Sequence, residues 1–253
     1  GTDGMCHISE LDHGYVKSVG DIVSIGDTVK ALDQHDDVRA IILTGTDKFF
    51  STGADLKSAL EATNLPNTQT MLSYFDHCNR AIERSRKPVI AAINGFCLTG
   101  GLEVALACDI RIASPGAIFS LPVKNMGIYL DPALVETLVN AVGRATALEL
   151  VLEGRRLATD EALARGIITR IAPEGGLDQE IAEAVDRICE GAPLAARFNR
   201  RAIRKGSPYI SAPTKKLASR TRSSPNATSN PSAPSNQRST RWVARTTGRW
   251  PRS

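Results

Sequence analysis

The sequence predicts an α/β fold with parallel strands covered by helices on both faces, and three observations carry that prediction. Two apolar runs, Val38–Thr44 and Val89–Ile93, have no polar alternation and each closes on a glycine, as strands buried on both faces do. Segments of helical spacing separate them, which calls for crossover connections rather than hairpins. The 253 residues, 42% apolar and 23% charged, supply enough chain for one large domain or two small ones.

Taken in order, His7-Ile8-Ser9 reads as part of a short first strand, and Val16, Val19, Ile22, Val23, Val29 and Leu32 fall on one helical face. The strand Val38–Thr44 follows. Met71, Tyr74, Phe75, Cys78, Ala81 and Ile82 repeat at helical spacing before Pro88, and Val89–Ile93 is the second buried strand. Residues 100–108 predict a short buried helix, 109–113 a strand, and 131–142 a helix opened by Asp-Pro. Helix 159–165, strand 167–171 and helices 177–191 and 193–205 complete the body, with a soft boundary near residue 145 where strand content thins.

The net charge of +4 conceals a division at Gly206. Residues 207–253 hold nine Lys/Arg and no acid, leaving 22 basic against 27 acidic groups before them: the body is −5 and the tail +9. Of the tail's 47 residues, 25 are Ser, Thr, Pro or Asn, and its few large apolar residues follow no period. Such a stretch buries too little surface to offset its ordering entropy, so it is expected to be disordered, or to be read out of frame. A phosphate-binding arm is the functional alternative for a basic tail; a solvated extension is preferred, and no nucleic-acid or membrane partner is expected.

No run approaches the roughly 20 apolar residues of a membrane helix, and no leader pattern opens the chain. Five scattered cysteines without a C-x-x-C pair fit reduced thiols better than a disulfide framework or a zinc site. A cytoplasmic protein without metal is the expectation.

The chemistry-bearing candidates lie in two glycine-containing turns, Ser51-Thr52-Gly53-Ala54-Asp55-Leu56 and Asn94-Gly95-Phe96-Cys97-Leu98-Thr99-Gly100-Gly101-Leu102-Glu103, one after each buried strand. Each puts main-chain N–H groups at a helix start, where negative charge is favoured. Neither matches a Walker or a dinucleotide-binding glycine pattern. Glu103 lies three residues beyond Gly100, so on a helix its side chain leans back over the first turn. The helix dipole also favours an acid there without any catalytic role.

These segments resemble a known family. Residues 40–45 (AIILTG), 49–57 (FFSTGADLK) and 87–113 (KPVIAAINGFCLTGGLEVALACDIRIA) are similar to the enoyl-CoA hydratase/isomerase, or crotonase, superfamily, and the likeness runs from about residue 5 to 205. The resemblance implies a crotonase-like spiral of ββα units over residues 1–144, a helical trimerisation region over 145–206, and a homotrimer or hexamer acting on acyl-CoA. Coenzyme A would enter as part of the substrate, with no separate cofactor. It further implies that the N–H groups of Ala54 and Gly100 form an oxyanion hole for the thioester carbonyl, and that Ala54, Asp55, Leu56 and Lys57 line the coenzyme A channel. Glu103 matches a catalytic glutamate of the hydratases.

Their second glutamate falls at Val123, four residues before Gly127, so hydration by paired carboxylates loses one partner. Asp131 matches an active-site aspartate of the dienoyl-CoA isomerases and the nucleophile of the 4-chlorobenzoyl-CoA dehalogenases. The histidine a dehalogenase uses would fall at Asp76, which disfavours that reading. Asp131 before Pro132 is also a good helix cap, and a capping carboxylate with a lowered pKa is a poor base. The expectation is therefore an acyl-CoA enzyme, hydratase-like with Glu103 acting, or an isomerase using Glu103 and Asp131, or a non-catalytic acyl-CoA binder.

Overall fold

The computed structural model describes residues 5–7, 20–45, 48–53, 65–127, 129–130, 132–205 and 241–246. Ten strands are present among them: β1 (Met5–His7), β2 (Val38–Thr44), β3 (Phe49–Ser51), β4 (Val89–Ile93), β5 (Phe96–Leu98), β6 (Ile110–Ala113), β7 (Ile118–Ser120), β8 (Leu157–Ala158), β9 (Arg170–Ile171) and β10 (Arg241–Thr246). The helices are α1 (Gly20–Gln34), α2 (Leu65–Arg84), α3 (Gly100–Ala107), α4 (Pro132–Glu153), α5 (Thr159–Ala164), α6 (Leu177–Glu190) and α7 (Pro193–Lys205), with a 3-10 turn at Val123–Met126.

The strands divide into two sheets in a repeating way. β2, β4 and β6 are parallel neighbours in a six-stranded sheet ordered β1-β10-β2-β4-β6-β9. β3, β5 and β7 are parallel neighbours in a four-stranded sheet ordered β3-β5-β7-β8. Each successive pair of strands thus adds one strand to each sheet, and a helix follows: the chain climbs as a spiral.

The continuous apolar runs are explained by what covers them. Along β2 and β4, Ile41, Leu43, Val89, Ala91 and Ile93 face the main core, while Ala40, Ile42, Ile90 and Ala92 face a second cluster with Ile181, Ala184 and Val185 of α6. Alternate residues point to opposite faces, and both faces are buried, so polar residues are confined to Arg39 and Thr44, the half-buried positions near the ends of β2. Complete burial of Ile93 or Leu102 is worth roughly 1.5–3 kcal/mol each.

Several boundaries differ from expectation for local reasons. The helix expected over 131–142 runs to Glu153, but Gly143 at φ 76, ψ 162 breaks its helical path close to the boundary expected near residue 145. Of the strand expected over 167–171, only Arg170–Ile171 pairs; Ile167 and Ile168 are buried in the turn from α5, where the Ile167 N–H donates to the Ala162 carbonyl at 2.9 Å. The second sheet was hidden in stretches read as turns or assigned no element, because strands of two or three residues show no periodicity.

Within the basic tail, Arg241–Thr246 forms β10, antiparallel to both β1 and β2. These six residues lie in the tail expected to be disordered or out of frame; the open edge of β2 supplies unpaired backbone groups that an added strand satisfies whatever its side-chain period. The rest of the tail lies outside the described residues. Among those described, no helix is long and apolar enough to cross a membrane, and no cluster of three or more His, Cys, Asp or Glu is placed to hold a metal.

Candidate active site

Two corners of the spiral meet at the start of α3. The main chain leaves β3 at Ser51 and turns through Thr52 to Gly53, whose φ is +87. It leaves β5 at Leu98 and turns through Thr99 into Gly100, the first residue of α3. A Cβ placed on Gly53 would lie 2.9 Å from the Gly100 nitrogen, and one on Gly101 would lie 2.2 Å from the Ser51 carbonyl oxygen. The two turns are packed backbone against backbone, which any side chain at these glycines would prevent.

The Gly100 N–H is one of the donors that an α-helix leaves without an intrahelical acceptor. Gly100 is itself buried beneath Phe75 of α2: a Cβ there would lie 2.3 Å from Phe75 Cε1. Phe75 was legible as an apolar position on its helix, but only the packing of α2 on α3 reveals that its ring covers Gly100.

Glu103 stands one turn further along α3, its N–H donating to the Thr99 carbonyl at 3.1 Å. Every other residue of α3 is buried, whereas Glu103 is half-buried. The face carrying positions 100 and 103 is therefore where the helix offers both a main-chain donor and a carboxylate. Thr99, which precedes them, has φ +48 and ψ −118, and is the one non-glycine residue with positive φ among those described.

Of the residues singled out from sequence, the structure thus brings Gly100 and Glu103 together on one helix face, with Gly53 against Gly100. Ala54, Asp55, Leu56, Lys57 and Asp131 lie outside the described residues. Val123 is only 2% exposed and packs in the main core, so the position of the second hydratase acid holds a buried apolar side chain. Asp76 pairs with Arg80 at 2.6 Å on the surface of α2. His77 contacts Asp27 and Lys30, and the His77 hydrogen bond holds the Asp27 carboxyl below its usual range. The buried thiols are the opposite of nucleophiles: burial pushes Cys78 up to about 12 and also raises Cys97 and Cys108.

Two sheets wound from ββα units, with two stacked glycine turns at one helix start, define a crotonase-fold protein. A sequence model described as enoyl-CoA hydratase/isomerase matches residues 22–230, and the chain belongs to that family. It is 34% identical over 188 residues to the short-chain-enoyl-CoA hydratase of Clostridium acetobutylicum, covering 71% of this chain and 72% of that one. It is 32% identical over 203 residues to the peroxisomal Delta(3,5)-Delta(2,4)-dienoyl-CoA isomerase of Arabidopsis thaliana, covering 74% and 72%. The crystal structure of an enoyl-CoA hydratase from Bacillus anthracis superposes with TM-score 0.70 at 31% identity, over 74% of this chain and 72% of that one. The chain spans about two thirds of the length of the curated relatives it matches, from 62% to 72%.

Proposed function

We propose that this chain binds an acyl-CoA thioester and catalyses enoyl-CoA hydratase-like chemistry at the start of α3. The observation that carries the reading is the close approach of the Gly53 backbone to the Gly100 nitrogen, which leaves no room for a side chain between them and brings the residue preceding Ala54 beside the Gly100 N–H. In this reading the N–H groups of Ala54 and Gly100 both donate to the thioester oxygen. As water adds to C3 of a 2-enoyl-CoA, negative charge moves to that oxygen. Donors already in place stabilise the resulting enolate by roughly 3–4 kcal/mol each. Glu103 takes the proton released by the water and returns it to C2, so that one H–O–H is added across the double bond. Asp55, Leu56 and Lys57 would line the path of the coenzyme A moiety, and no other cofactor is invoked.

Buried Val123 favours a second reading. With no carboxylate at that position, a water cannot be held between Glu103 and a second acid there, whereas proton removal and return along the acyl chain does not need that pair. Glu103 and Asp131 would then exchange protons with an enoyl- or dienoyl-CoA, as an isomerase. A non-catalytic acyl-CoA binder would retain the same two turns without turnover.

Assembly as a homotrimer or hexamer is part of the proposal, with 145–206 as the assembling region. Among the described residues, six of the eight exposed large apolar ones lie there: Leu148, Leu152, Leu163, Leu194, Phe198 and Ile203. Sedimentation velocity of the full chain tests it, and a monomer at micromolar concentration would refute it. A cytoplasmic location is proposed on the thiols alone; cell fractionation tests it.

The test of the reaction is mass spectrometry of a 2-enoyl-CoA, a 3-enoyl-CoA and a 3,5-dienoyl-CoA, each incubated with the protein in D₂O. Gain of one water supports the hydratase. Deuterium exchange with an unhydrated isomer supports the isomerase, and binding without conversion supports the binder. Glu103→Gln is expected to lower either rate at least about 10²-fold; unchanged turnover would remove Glu103 from the mechanism.

A further inference from the structure

We propose that Thr99 is a positioning residue whose strained backbone sets the direction of the Gly100 N–H. The proposal rests on the reading of Gly100 as an oxyanion donor and adds the residue that aims it.

A threonine before a helix invites explanation as a cap, and the geometry rules that out. A capping threonine has extended φ/ψ and its hydroxyl accepts a hydrogen bond from the first turn. Thr99 has φ +48 and ψ −118, and its side chain makes no capping bond. For a β-branched residue this is a true outlier, and such outliers persist only where the surroundings over-determine them.

Two elements hold Thr99 in place. From β7, the Ser120 carbonyl accepts the Thr99 N–H at 3.0 Å. From α3, the Glu103 N–H donates to the Thr99 carbonyl at 3.1 Å. Rotation about ψ of residue 99 turns the planar peptide that carries the Gly100 N–H, because that peptide moves as a unit. A glycine at 99 would reach positive φ without strain but leave ψ broad. The Cβ of Thr99 narrows ψ by its own clashes with the backbone, and so fixes where the Gly100 N–H points.

Thr99→Gly is therefore expected to fold at least as well as the parent, with an unchanged or higher urea midpoint, yet to loosen the donor. Two measurements on the full chain decide. The first needs no ligand: in ¹⁵N-glycine-labelled protein, the Gly100 amide resonance is expected to broaden or split in Thr99→Gly and to return to the parent position in Thr99→Ser, which keeps the Cβ. The second is steady-state kinetics on whichever of the three thioesters turns over. There kcat is expected to fall about 10-fold in Thr99→Gly, with KM changed less than threefold and at least half the lost rate recovered in Thr99→Ser. An unaltered Gly100 resonance overturns the proposal, as does an unaltered kcat in an active parent. If the parent converts none of the thioesters, the reading of the reaction fails separately; a perturbed Gly100 amide then still supports the hold of Thr99 on Gly100, and an unperturbed one overturns it.

Discussion

Arg200 of α7 reaches Asp109, at the end of α3, with Nε 2.6 Å from Oδ2, across 91 residues of sequence. Arg204 takes the other carboxylate oxygen at 2.8 Å. The guanidinium of Arg200 also donates to the carbonyls of Ile82, at 2.8 Å, and Glu83, at 3.2 Å, and that of Arg204 to the Ala107 carbonyl. These carbonyls lie in the last turns of α2 and α3, where helices leave acceptors unmet and favour cations. One carboxylate thus holds α7 against the ends of the two helices that carry Phe75 and Gly100.

Asp109→Ala should accordingly destabilise the fold by about 3 kcal/mol, because it leaves two largely buried guanidiniums without their counter-charge. Urea unfolding measures the loss. Limited proteolysis should show new cleavage within 193–205 before any within 89–113; simultaneous cleavage would mean that α7 is not docked through this carboxylate.

Gly100→Ala places a methyl group 2.3 Å from the buried Phe75 ring, and the ring must move. A cost of about 1–3 kcal/mol follows from overpacking. Adding Phe75→Leu should recover part of it, and a double-mutant cycle that returned simple additivity would deny the contact.

The cysteines should differ sharply in reactivity. Cys78, Cys97 and Cys108 are buried with raised pKa values, while Cys189 is half-buried. At pH 8, a thiol reagent followed by peptide mapping should modify Cys189 in the folded chain and reach Cys78, Cys97 and Cys108 only in denaturant. Rapid labelling of Cys97 without denaturant would contradict the core packing.

Glu149 carries a pH-dependent contribution to stability. Hydrogen bonds from Arg165, then Arg155, hold its carboxyl below the ordinary 4.5. A group with a lowered folded pKa stabilises fully above its unfolded value and loses that contribution as pH falls through the folded value. The difference in urea midpoint between the parent and Glu149→Gln should therefore be largest at neutral pH and shrink on acidification below about pH 4.5. A constant difference from pH 7 to pH 3 would show that the ion pairs do not act through ionisation.

The sequence determined the framework of this protein by itself. Strands β2 and β4 were legible to the residue, because burial on both faces demands apolar residues without polar alternation, Ala40–Leu43 and Val89–Ile93, followed by a glycine-containing turn. The motifs of the two turns pointed to the family, and Gly100 and Glu103 to the helix face where chemistry would sit. Only the tertiary structure decided what has no signature in local pattern. The second sheet is built from strands of two or three residues, too short for periodicity, and exists because successive corners of the spiral stack. β10 was invisible because backbone pairing at an open edge is indifferent to side-chain period. The approach of Gly53 to Gly100, the ring of Phe75 over Gly100 and the strain at Thr99 depend on groups distant in sequence being pressed together, and that is settled by packing, which no window of local sequence contains.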